Sequence, residues 1–71
     1  MSMLFKIYAA RIEDLTEDLV WYKEHSQFWY ARAKWWRDIG EPTEAQRCTT
    51  QAKRYQCKSQ WLAQKLDDLT V

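Results

Sequence analysis

The chain has 71 residues and a mass of 8.7 kDa, room for one small domain, and a chain of this size buries only ~60% of its unfolded surface, which leaves a lone monomer marginal. Apolar residues make up 46% and aromatic residues 15%, which excludes a disordered tail, while one Gly and one Pro exclude a β-meander or a Gly-rich phosphate loop. Eleven basic against ten acidic residues give a net charge of +1, with no overall balance for binding a polyanion, and a lone His without a cleft-forming second layer argues against an enzyme.

The opening Met1-Ser2-Met3-Leu4-Phe5-Lys6 has neither the apolar run nor the cleavage site of a signal peptide. No stretch approaches the ~18 consecutive apolar residues of a membrane span. The expected address is therefore the cytoplasm.

From residue 3 to about 39 nothing breaks a helix. Phe5, Tyr8, Ile12, Leu15, Leu19, Tyr22, Ser26, Trp29, Ala33 and Trp36 alternate steps of three and four, the spacing of a coiled-coil seam. The punctuation follows in Asp38-Ile39-Gly40-Glu41-Pro42. Gly40 can take the left-handed conformation that closes a helix, and Pro42 suits the first turn of the next. Thr43 with Gln46 has capping-box spacing and offers an alternative start. Helix two then runs from about 42 to 70, with Ala45, Cys48, Ala52, Tyr55, Ser59, Leu62, Leu66 and Leu69 in the same rhythm.

Folding the chain at Gly40 opposes positions whose numbers sum to about 81. Trp36 then meets Ala45, Ala33 meets Cys48, Trp29 meets Ala52, Ser26 meets Tyr55 and Tyr22 meets Ser59. Farther out, Leu19, Leu15 and Ile12 meet Leu62, Leu66 and Leu69. Large rings opposite small residues avoid both voids and clashes. The expected fold is all-α: a single helical-hairpin domain spanning residues 1–71, antiparallel, coiled-coil-like, dimerising into a four-helix bundle.

Residues 26–57 resemble a tetratricopeptide repeat. Trp29, Tyr30, Ala33, Trp36, Gly40, Glu44, Ala45 and Ala52 stand at that consensus, with departures at Arg32 and Cys57. One repeat forms no solenoid, so the resemblance implies a helical hairpin and nothing longer.

A second row remains after the hairpin seam is filled. Trp21, His25, Phe28, Arg32, Trp35 and Ile39 run one position before the inner seam. In a two-helix monomer this row would be wet, so a second subunit or another protein should cover it. Phe5 and Tyr8 overhang the end of helix two, and Trp61 and Tyr30 fall off the main seam; all are candidates for dimer or partner contact, with Trp61, which precedes Leu62 as Trp35 precedes Trp36, expected to border the same groove. His25 reads as an interface hydrogen-bonder rather than a base, since no Ser or Cys is placed for it to activate.

Charge divides along the axis. Glu13, Asp14, Glu17, Asp18, Asp67 and Asp68 gather away from the turn, and Arg32, Lys34, Arg37, Arg47, Lys53, Arg54 and Lys58 nearer to it. Such polarity orients a partner. Basic residues interleaved with rings also open the alternative of a nucleic-acid-binding accessory protein. Cys48 and Cys57, nine residues apart on a helix, lie on opposite faces and cannot pair with each other. With one distant His they make no zinc site, and no cofactor is expected.

In size, two-helix build and lack of catalytic groups the chain resembles the small inhibitory proteins encoded by bacteriophages, including anti-CRISPR proteins and quorum-sensing anti-activators. That resemblance implies a non-enzymatic inhibitor in the host cytoplasm that binds a host transcription regulator or ATPase. An adaptor subunit of a larger assembly is a further alternative.

Overall fold

The computed structural model describes the backbone of residues 2–70 and the side chains of residues 6–69. Two helices, α1 (Ser2–Asp38) and α2 (Pro42–Thr70), pack against each other as a hairpin, with no strand among the described residues. The side chain of Phe5, expected at an interface, lies outside the described residues.

The turn between them is closed by backbone geometry. Gly40 has φ +86°, a conformation that a residue with a Cβ enters only at a cost. There the Gly40 N–H donates to the Arg37 carbonyl (3.1 Å) and the Glu41 N–H to the Trp36 carbonyl (2.9 Å). This paired pattern is a Schellman closure, which satisfies carbonyls the helix end would otherwise orphan. The Ala45 N–H then donates to the Glu41 carbonyl (3.0 Å), so α2 begins with Pro42 in its first turn, where a missing N–H costs nothing. The Thr43–Gln46 start is not used, because Thr43 already lies inside α2.

Side chains sort along the seam as their sizes require. Ala33 and Ala52 are wholly buried, and Ala45, Cys48, Leu62, Leu15, Ser26 and Ser59 nearly so. The seam rings Tyr22, Trp29, Trp36 and Tyr55 are half-buried, as are Ile12, Leu19, Leu66 and Leu69. Small residues let the backbones approach, and the rings lie over that contact with their edges reaching solvent. The Ser26 hydroxyl donates to the Ala52 carbonyl (3.2 Å) and the Tyr30 hydroxyl to Gln56 Oε1 (2.6 Å). These two cross-helix bonds fall on either side of the expected register, the first within about one helical turn and the second within about one and a half.

The result is a rod of 59 × 15 × 13 Å with a radius of gyration of 16.6 Å, where a globular chain of this length would have about 11 Å. No large side chain among the described residues is fully buried. A single seam is all the core the monomer has.

Candidate functional site

The α1 row that the seam leaves over is exposed along its length. Trp21 is 46% exposed, Phe28 52%, Trp35 54% and Ile39 52%. Arg32 is exposed between them, and His25 is half-buried. Each outer ring stands edge-on to the seam ring that follows it in sequence. Trp21 meets Tyr22 at 4.9 Å and 81°, Phe28 meets Trp29 at 5.4 Å and 80°, and Trp35 meets Trp36 at 4.8 Å and 74°. The motif repeats every seven residues because one ring of each pair points to the seam and the next is turned about 100° away from it. With apolar residues on two faces, α1 shows little of the one-sided polarity of an ordinary surface helix.

Local contacts fix the row. The His25 ring stacks on Trp21 (3.7 Å, 23°), and its Nδ1–H donates to the Trp21 carbonyl (2.8 Å). Both rings lean on Tyr55 of α2, at 5.8 and 5.7 Å. The Arg32 guanidinium lies 5.7 Å from the Phe28 centroid. One groove is lined by Glu24, His25, Phe28, Trp29 and Tyr55, and the next by Phe28, Ala31, Arg32 and Trp35. Phe28 is the ridge between them.

The antiparallel packing decides which face each off-seam position takes. In an antiparallel hairpin a two-fold axis normal to its plane relates the helices, so the position before each seam residue turns to the same side on both. On α2 those positions are Glu44, Arg47, Gln51, Arg54, Lys58, Trp61, Lys65 and Asp68, with Glu44 paired to Arg47. Their place beside the α1 row is seen where Arg11 of α1 shares a groove with Trp61, Lys65 and Asp68. Trp61, 50% exposed, is held between two ammonium groups, Lys58 Nζ at 4.5 Å and Lys65 Nζ at 5.4 Å from its ring. Trp61 therefore belongs to the same face as Trp21, Phe28 and Trp35. That face carries an aromatic row on one helix and a basic row on the other.

The opposite face is polar. Lys23, Gln27 and Tyr30 meet Gln56 and Gln60 there, and the bond to Gln56 places Tyr30 away from the aromatic row. Tyr8 is 43% exposed on α1, about 20 Å of helix before Trp21, so the structure does not gather it with the row. Cys48 is buried and Cys57 exposed, both free. Among the described residues no cluster of His, Cys, Asp or Glu could hold a metal ion, and no helix is long and apolar enough to cross a membrane.

Comparison with protein-family models, with curated proteins and with solved structures finds no match to this chain.

Proposed function

We propose that the hairpin is a non-enzymatic protein-binding module that docks on a regulatory protein through its aromatic face. The observation that carries this reading is the row of half-exposed rings at Trp21, Phe28 and Trp35, joined by Trp61, on a rod whose buried residues are mostly small. Together these rings leave roughly 300–500 Å² of apolar surface, the scale of the largest patch on an ordinary monomer. Trp and Arg are also the side chains that dominate binding hot spots. Because the face is shallow and holds no nucleophile–base pair, its occupation acts by covering a partner's surface. That is how an inhibitor or anti-activator of a transcription regulator or ATPase works, and it is the role in a host cell that the likeness to small phage inhibitors implies.

A second copy of the chain is the other protein able to cover the row, giving a four-helix bundle, as the thin core favours. Nucleic acid on the basic half is the remaining alternative.

The test is affinity capture from the native host with wild type, Phe28→Ala, Trp35→Ala and the opposite-face variant Tyr30→Phe, all checked for helicity. The reading expects one stoichiometric protein retained by wild type and Tyr30→Phe and lost by the other two. Capture unaffected by Phe28→Ala and Trp35→Ala moves the site elsewhere, and recovery of nucleic acid alone replaces the reading.

A further inference from the structure

We infer that the occupant of this face is an acidic amphipathic helix of another protein, its apolar side in the grooves around Phe28 and its carboxylates on the α2 row. This rests on the reading of the face as a protein-docking surface and names the partner's chemistry.

The argument begins with charge. Residues 21–59 hold eight Lys and Arg against four Asp and Glu, a formal +4, while the rest of the chain holds three against six, a formal −3. The α1 row lies wholly in the positive half, with Trp61 just past its edge. On the face itself Arg32, Arg47, Arg54 and Lys58 are all exposed. The carboxylates near them are Glu24, bordering a groove, and Glu44, which pairs with Arg47 at 3.1 Å.

That distribution decides among occupants. The middle of the row lies near residue 30, so a second copy must bring its own positive half over this one, in parallel or antiparallel register alike. Its acidic end would project past the turn in the antiparallel case and lie along the other acidic end in the parallel one. Like charge then opposes like across the face, which disfavours that pairing. A partner with an acidic flank is complementary.

Ring geometry separates a helix from single-stranded nucleic acid. Bases stack on exposed ring faces. Here His25 lies over one face of Trp21, Arg32 over one face of Phe28 and Lys58 over one face of Trp61, so a base would compete with these groups for part of the row. The outer rings recur every seven residues, about 10.5 Å along the axis. A partner helix repeats its own apolar positions at that interval, and its side chains would seat on either side of Phe28 as knobs in grooves. The row from Trp21 to Ile39 matches a partner of about five helical turns.

The experiment titrates the intact protein with two synthetic 18-residue helical peptides that share one Leu/Phe row and differ only in flanks of Glu or Lys, and with an oligothymidylate. Sedimentation gives the oligomeric state. The expected result is a monomer that binds the Glu peptide at least about tenfold more tightly than the Lys peptide at low salt, the preference shrinking as salt is raised. Arg54→Glu should abolish the preference, and Phe28→Ala should weaken both peptides. Equal binding of the two peptides, lost on Phe28→Ala, would overturn the acidic partner and leave the docking face standing. No binding of either peptide, or binding indifferent to Phe28→Ala, overturns both. Tighter binding of the oligothymidylate, or a dimer in which the peptides compete with self-association, overturns the acidic helix in favour of that occupant.

Discussion

The Ser26 hydroxyl crosses the hairpin to donate to the Ala52 carbonyl at 3.2 Å, with Ser26 6% exposed and Ala52 wholly buried. This contact ties α1 to α2 at a layer of small, buried residues. A hydroxyl buried there would be costly without a partner, and the carbonyl gives it one.

Ser26→Ala removes the donor while the Ala52 carbonyl keeps its place in the α2 ladder. The expected loss is about 0.5–1.5 kcal/mol, read as a lower midpoint in urea unfolding followed by circular dichroism. An unchanged midpoint would mean that the bond adds nothing to the fold.

Ala33 and Ala52 are both 0% exposed, so enlarging either has nowhere to go. Ala33→Leu or Ala52→Leu should destabilise by about 1–3 kcal/mol or more through forced separation of the helices. Ala31→Leu, at an exposed position on the same helix, should change stability by no more than about 0.5 kcal/mol. Thermal melts of the three variants make the comparison.

At the turn the account separates strain from crowding. A Cβ on Gly40 would meet nothing within 4 Å, yet φ is +86°. Gly40→Ala should therefore cost about 1–2 kcal/mol from backbone conformation alone, and Gly40→Asn less, since Asn tolerates the left-handed region. Equal losses for the two would point to another cause.

The two thiols should differ in accessibility. Cys57 is exposed and Cys48 buried on the seam. An aromatic disulfide reagent should label Cys57 in the folded protein and Cys48 only as the hairpin opens. Rapid labelling of both under native conditions would contradict the seam.

Much of this was legible in the residues. The three-and-four spacing of Leu15, Leu19 and Tyr22 against Ser59, Leu62 and Leu66, with Gly40 and Pro42 between, leads to the hairpin because rod and turn are local properties. The exposure of Trp21, Phe28 and Trp35 follows too, since a helix with two apolar rows can bury only one against a single neighbour. The place of Trp61 beside the row was legible as well, since it precedes Leu62 as Trp35 precedes Trp36. What spacing left open is Tyr30, which turns to the opposite face and bonds Gln56 because it follows its seam residue instead of preceding it. The pairing of the aromatic row with Arg54 and Lys58 is a property of the folded pair.

The most direct test of the central claim is carbene footprinting of the intact protein, free and saturated with the Glu-flanked peptide, read residue by residue. The account predicts strong labelling of Trp21, Phe28, Trp35 and Trp61 in the free protein and their joint protection on binding, with Tyr30 unchanged. Weak labelling of these four rings in the free protein, or labelling that the bound peptide leaves untouched, would contradict it.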